Sequence, residues 1–240
     1  MKIHHFITPC RINGSTLTIN DKDIVHRMNN VIRLRAGEIV RICPATEQVN
    51  NTGVFYDITL DIVSKKEVSG TIIEKGIIPE KTNKTTLVMS IIKGSNFDLV
   101  IQKATELGID HIVPVVSERT IKKEVNMPRI QTIAREAAEQ SERMTVPVID
   151  EPISFTKWAE QNHDGVIYFF DTYSKSVDTK TVSSKLSTIN LLVGPEGGWS
   201  PAEQKIAEEK NWHIYSTGAN ILRAETAAIV GTYLAVMRAL

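Results

Sequence analysis

A chain of 240 residues, 42% apolar and 23% charged, holds enough apolar material for two modest hydrophobic cores and excludes intrinsic disorder as its dominant state. Its 28 basic residues balance 28 acidic ones. A net charge of zero excludes a histone-like polyelectrolyte binder, so any nucleic-acid surface must be a local cluster of cations. Two cysteines, Cys10 and Cys43, without CxxC spacing exclude a disulfide framework or a cysteine-based zinc site. The histidines (His4, His5, His26, His111, His163 and His213) form no metal-ligand pattern with carboxylates, so no metal is expected. The N-terminal residues lack a signal-peptide core, and the apolar stretch Ala227 to Leu240 is broken by Gly231, Thr232 and Arg238. The expectation is a cytoplasmic protein with reduced thiols and no membrane partner.

Residues 1–75 read as mostly β. Val54, Tyr56, Ile58, Leu60 and Ile62 alternate with Phe55, Asp57, Thr59 and Asp61, which predicts a strand with one core face and one solvated face. Shorter strands are expected at Leu17–Ile19, Glu38–Ile42 and Gly70–Ile73. A helix capped by Asp21 interrupts them, with Ile24, Met28 and Val31 at helical spacing and Gly37 ending the segment. Short strands separated by turn residues suggest a small barrel. The polar, proline-containing stretch 76–84 reads as a linker.

From Thr85 onward strands and helices alternate. The predicted strands are Leu87–Ile92, His111–Val116, Val166–Phe170, Thr188–Val193 and His213–Ser216. The predicted helices are Asn96–Leu107, with Leu99, Val100, Lys103, Ala104 and Leu107 on one face, then one opening at Asn126-Met127-Pro128, then Ser154–Gln161 and Ala224–Arg238. Ser200, Pro201 and Glu203 form a capping-box signature for one more helix. This alternation predicts an α/β domain with a mainly parallel sheet over residues 85–240.

Two loops carry the chemistry. Gly194-Pro195-Glu196-Gly197-Gly198 follows a buried strand and precedes the capped helix. Its glycines let a ligand lie against the backbone, and a β-branched residue at Gly197 is expected to strain the turn or block that approach. The same glycines also suit a tight strand-to-helix turn. Gly218 to Ala227 again follows a strand and opens a helix, and places Arg223, Glu225 and Thr226 within one turn. The alternative there is a plain helix start with Glu225 and Thr226 serving its amides. Neither loop is GxGxxG or a P-loop, and no G-x-S-x-G exists. Glu136, Gln140 and Arg143 fall on one stripe of the helix after Pro128, and Lys93 stands at a strand's carboxyl end. Trp158, Trp199 and Trp212 read as packing residues.

Several blocks resemble one family. Leu192 to Ser200 with Glu203, and Gly218 to Ala227, are similar to the paired signatures of the RsmE family, the bacterial 16S rRNA (uracil-N3)-methyltransferases of the SPOUT superfamily. Gln102 to Gly108, Ser117-Glu118-Arg119, Glu136 to Arg143 and Val146-Pro147 resemble its other blocks, and His26 to Glu38 its N-terminal helix. Met28-Asn29-Asn30 departs from that helix's commoner apolar pattern. The resemblance spans nearly the whole chain. It implies a PUA-like RNA-binding β-barrel in residues 1–75, a SPOUT α/β-knot methyltransferase domain in 85–240 with a trefoil knot, S-adenosylmethionine as cofactor, and a homodimer. It implies a cofactor pocket from Phe170, Gly194, Pro195, Glu196, Gly197, Gly198, Trp199, Gly218, Ile221, Leu222, Arg223 and Thr226. Arg223, Glu225 and Glu196 are then the residues expected to act on a uridine N3. The implied partner is 16S ribosomal RNA within the small ribosomal subunit, contacted by Arg11, Arg27, Arg33 and Arg35 of the small domain and Lys93, Arg119 and Arg143 of the large one. Another SPOUT enzyme acting on transfer RNA or a ribose hydroxyl, and a noncatalytic ribosome-assembly factor, remain alternatives.

Overall fold

The computed structural model describes residues 3–45, 53–78, 81, 83–171, 188–216 and 220–238. It falls into two compact units, Met1–Glu80 with Ala138–Val146, and Lys81–Ala137 with Pro147–Leu240. No helix among the described residues is long and apolar enough to cross a membrane.

The first unit is built on a six-stranded sheet of β1 (His4–Thr8), β2 (Arg11–Asn13), β3 (Thr16–Ile19), β4 (Ile39–Pro44), β5 (Val54–Val63) and β6 (Val68–Ile77), in the order β1-β4-β5-β6-β3-β2. It is barrel-like, and its end strands β1 and β2 do not pair. β1 runs parallel to β4, and the other pairs are antiparallel. Phe6, Leu17, Ile19, Val40, Ile42 and Leu60 are among the residues that fill its core.

In β5 the alternation expected from the sequence holds only in part. Register shifts at Asp57/Ile58 and at Leu60/Ile62 re-aim the side chains. Ile62, expected inside, is 49% exposed, and Asp57, expected in solvent, is 4% exposed. Asp57 is buried because Arg41 forks onto it at 2.6 and 2.7 Å. The helix capped by Asp21 also departs from its expected course. The Asp21 carboxylate accepts the amides of Asp23 and Ile24, and α1 spans Lys22–His26. A π-helical turn, Arg27–Ile32, then takes over and ends in a left-handed Arg33 at φ 63°. The wider turn carries Val31 outward, to 65% exposure, while Ile24 and Met28 remain buried.

Ala138–Val146 supplies the remaining part of this unit. Glu139, 8% exposed, accepts the Ile7 amide at 2.7 Å and pairs with Arg27. The Arg27 guanidinium lies 5.3 Å from the centre of the Phe6 ring. Ile7, Cys43 and Ala138 form a small core with Phe55, Met144 and Val146 packed against it. Burial pushes the Cys43 thiol up to about 12 and that of Cys10 up to about 11.

The second unit carries an all-parallel sheet of β7 (Lys84–Ser90), β8 (His111–Val116), β9 (Val148–Ile149), β10 (Ile153–Ser154), β11 (Val166–Phe170), β12 (Thr188–Val193) and β13 (His213–Tyr215). The order is β10-β8-β7-β12-β11-β13, with β9 also pairing β8. From β7 the chain runs outward through β8 to β10 on one side, whereas on the other β12 inserts between β7 and the earlier strand β11. The helices are α2 (Ser95–Leu107), α3 (Met127–Gln140), α4 (Phe155–Ala159), α5 (Pro201–Glu209) and α6 (Ala224–Arg238). Phe155, Trp158, Phe169, Leu192 and Trp199 belong to one core cluster, against which Trp212 packs.

The expected face of α2 is rotated. In α2 Leu99 is 38% exposed, whereas Phe97, Val100, Ile101, Ala104 and Thr105 are buried, and Gly108 closes the helix at φ 105°. In α3 Glu136 and Gln140 are exposed, Glu139 is the buried polar residue, and Arg143 lies beyond the helix end. In α6 the buried side is Ala228, Thr232 and Ala235, whereas Leu234 is 38% exposed. Helical periodicity fixes which residues share a face, but the sheet beneath decides which face is covered.

Candidate active site

The carboxyl ends of β11, β12 and β13 open onto a cavity of about 480 Å³, the size of a nucleoside-class ligand. Its walls are Phe170, the last residue of β11, and Asp171 after it, Val193, the last of β12, with the loop to Trp199, Tyr215 and Ser216 at β13, and Ile221 to Glu225 with Ala227 at the start of α6. Asn96 of α2 completes it. The two loops singled out in the sequence therefore meet at one cavity.

Backbone geometry explains the glycines individually. Gly198 sits at φ 68°, in the left-handed region that a β-branched residue avoids, and its N–H donates to Pro195 O at 2.9 Å. A Cβ at Gly198 would meet no protein atom within 4 Å, so the bare backbone there faces open space. At Gly194 a Cβ would come within 3.0 Å of the Trp199 ring. Gly197 needs neither privilege, since its Cβ would meet Arg119 at an ordinary 3.4 Å. The expectation of positive-φ strain at Gly197 is thus corrected: the strained position is its neighbour Gly198.

Three polar contacts tie this loop to the ends of β7 and β8. The Lys93 amide donates to Glu196 Oε1 at 2.9 Å. Arg119 Nη1 donates to Gly197 O at 2.8 Å. The Glu118 amide donates to Glu203 Oε1 at 2.9 Å, while Glu203 Oε2 accepts the Ser200 amide at 2.9 Å. Glu203 is only 5% exposed. Its carboxylate thus serves both the capping box of α5 and the neighbouring loop, and the sequence signals only the first duty. Behind the loop, Trp199 Nε1 donates to Phe170 O at 2.9 Å, which makes Trp199 a packing and positioning residue. Gly231 of α6 leaves room for the Phe170 ring, because a Cβ there would lie 2.8 Å from it.

Of the expected cofactor residues, Phe170, Gly194 to Trp199, Ile221, Leu222 and Arg223 line the cavity. Thr226 is exposed and is not on its wall, because the first turn of α6 points it to the other side. Gly218 lies outside the described residues. Of the expected catalytic residues, Arg223 is an exposed wall residue, Glu225 a wall residue of 9% exposure, and Glu196 a wall residue with one oxygen engaged by the Lys93 amide. Asn96, Asp171, Tyr215 and Ser216 line the cavity without having been singled out in the sequence. Their common signal is position: each directly ends a strand or opens a helix on the rim of the sheet.

The arginines expected on RNA separate by environment. In the first unit Arg11, Arg33 and Arg35 are exposed, whereas Arg27 is engaged by Glu139 and Phe6. Arg143, expected on the large domain, belongs to the first unit. In the second unit Lys93 and Arg119 are exposed, with Arg119 also holding Gly197.

A parallel α/β sheet with a glycine-walled cavity at its strand ends defines a ligand-binding enzyme domain, and the family model for the RNA methyltransferase domain matches residues 79–236. The ribosomal RNA small subunit methyltransferase E of Rickettsia conorii is 33% identical, over 85% of this chain and 83% of its own. That of Bacillus subtilis is 30% identical, over 85% and 84%. A crystal structure of a ribosomal RNA small subunit methyltransferase E from Neisseria gonorrhoeae, bound to S-adenosyl methionine, superposes with a TM-score of 0.82 at 28% identity, covering 96% of this chain and 95% of that one. The chain belongs to the ribosomal RNA small subunit methyltransferase E family.

Proposed function

We propose that this chain transfers the methyl group of S-adenosylmethionine to N3 of a uridine in 16S ribosomal RNA. The observation that carries this reading is the cavity at the ends of β11, β12 and β13 in a chain whose relative of similar fold was crystallised with that cofactor. The residues present fit the group: a cavity of about 480 Å³, bare backbone at Gly198, and apolar walls from Phe170, Val193, Ile221 and Leu222.

The cofactor, when bound, supplies a methyl group on a sulfonium. The protein has two tasks. It aligns the acceptor nitrogen in line with that carbon, and it manages the proton that N3 carries at neutral pH. Arg223 offers a planar pair of donors to the uracil oxygens, where negative charge grows as the proton leaves. Glu225 takes the proton in this reading. Glu196 is the weaker candidate because Oε1 already accepts the Lys93 amide, and its duty is to hold the loop.

The reading also includes a PUA-like first domain over residues 1–75, a linker at 76–84, a knotted methyltransferase domain over 85–240, a homodimer, and RNA of the small ribosomal subunit as partner. Exposed Arg11, Arg33 and Arg35 in a chain without net charge support a local RNA footprint. The apolar side chains that α6 exposes, Tyr233, Leu234 and Met237, support pairing of two copies.

Mapping methylated nucleotides in 16S rRNA from cells with and without the active chain tests the activity. A single 3-methyluridine that disappears on deletion and returns with the intact gene is expected. An unchanged modification pattern overturns the reading. On the purified protein, replacing Arg33 and Arg35 together by alanine is expected to weaken RNA binding and lower its salt slope by about two, with cofactor affinity unchanged.

A further inference from the structure

We propose that Asp171 is the ribose-reading group of the cavity, its carboxylate accepting the hydroxyls of the sugar of an adenosine-type ligand; the inference rests on the cofactor reading given above. Asp171 directly follows β11 and lies on the cavity wall. Contacts from two described elements help to fix it. Its amide donates to Tyr215 O at 3.1 Å, which pins the backbone to β13, and Gln204 Nε2 donates to its Oδ2 at 2.9 Å, which sets the carboxylate's orientation. Gln204 belongs to α5, the helix anchored by the Ser200–Glu203 capping box. A carboxylate held from two elements at a cavity wall is preorganised to accept hydrogen bonds.

The strand order assigns what Asp171 meets. Glu196 follows β12 and is tied to the end of β7, whereas Asp171 follows β11 and is tied to β13. A bound ligand extended along the strand ends therefore meets the two carboxylates on opposite sides. Among the described residues the aromatic wall gathers beside Asp171: Phe170 precedes it, Tyr215, its backbone partner, stands with its ring 5.1 Å from that of Phe170, and Trp199 donates to Phe170 O. A purine seeks that apolar surface, and its sugar is attached directly to it. The α-ammonium of the methionyl group is the other donor that a carboxylate could recognise, but it stands at the far end of the ligand from the base. Vicinal hydroxyls beside a purine are thus the donors that Asp171 faces.

Calorimetry with S-adenosylhomocysteine and with 5′-methylthioadenosine, which keeps the ribose but lacks the amino acid, tests this on the full chain. Asp171→Asn is expected to weaken both ligands by the same factor, about tenfold. Gln204→Leu, which leaves the charge but removes its orienting donor, is expected to weaken both by a smaller common factor. The 2′-deoxy form of 5′-methylthioadenosine is expected to lose less on Asp171→Asn than its parent does. A loss confined to S-adenosylhomocysteine assigns Asp171 to the ammonium and overturns the proposal, as does unchanged affinity in both variants. Failure of the parental chain to bind S-adenosylhomocysteine or S-adenosylmethionine strikes the cofactor reading itself, and is seen before any variant is made.

Discussion

The two units use their carboxylates differently. In the second unit the carboxylates of Glu196 and Glu203 receive backbone amides, so each fixes the path of a loop at the cavity. In the first unit the buried carboxylates receive guanidinium groups: Asp57 holds Arg41, and Glu139 holds Arg27 while also accepting the Ile7 amide. A site for a small ligand needs backbone placed to a fraction of an ångström, and amide-to-carboxylate contacts deliver that. The larger partner proposed for the first unit asks only for a stable platform beneath its exposed arginines, and paired side chains suffice for that. Arginine count alone therefore misleads, since Arg27 and Arg41 are consumed inside the unit while Arg11, Arg33 and Arg35 are presented.

The largest effect that would break this contrast lies at Arg223. Arg223→Lys is expected to lower single-turnover methyl transfer by roughly 10²-fold, as for loss of one oxyanion donor, with the unfolding midpoint nearly unchanged. Near-parental turnover, or an unfolded variant, shows instead that Arg223 is structural. Next comes Glu139→Ala, which strands a partly exposed Arg27 and the buried Ile7 amide together. Urea unfolding is expected to show a loss of about 3 kcal/mol. Glu139→Gln, which keeps an acceptor for Ile7, recovers part of it. A loss under about 0.5 kcal/mol makes the pair a surface ornament.

Gly198→Val places a β-branched residue at φ 68° and costs about 1–3 kcal/mol of backbone strain. Cofactor affinity is expected to fall roughly tenfold, whereas Gly197→Ala leaves it unchanged. Equal effects at both glycines would mean that side-chain bulk, not backbone conformation, governs the loop. The smallest effect concerns His5, whose Nδ1 is buried without a hydrogen-bond partner among the described residues. Burial, aided by Arg41, lowers its pKa below the ordinary 6.5. The unfolded chain then takes up the proton first, so stability is expected to fall as pH drops through 6.5 and to level off below the folded value. His5→Gln should flatten that slope, and a parental slope in the variant removes His5 as its source.

Legibility in the sequence follows the range of the interaction. The capping box of α5, the Gly108 terminator of α2 and the buried run of β12 are set by neighbours a few residues apart, and the sequence reveals them. The π-helical turn at Arg27–Ile32 and the bulges of β5 answer to packing partners elsewhere, and a strict period misplaced Val31, Ile62 and Asp57. At the cavity, the glycine loop and Arg223 stand out as motifs. Asp171 and Tyr215 carry no motif and are found only through strand order.

The Glu139 contacts also set a schedule for synthesis. Ile7 and its acceptor are 132 residues apart, and Arg27 and the same carboxylate 112. At about 5–20 residues per second, the first strand emerges from the ribosome roughly 7–26 s before Glu139 does. During that interval the nascent sheet carries an amide and a guanidinium without their carboxylate. Ile7, Cys43 and Phe55 likewise wait for Ala138, Met144 and Val146. The main core of the sheet is complete within the first seventy or so residues, so what waits for translation to reach Val146 is the small second core alone.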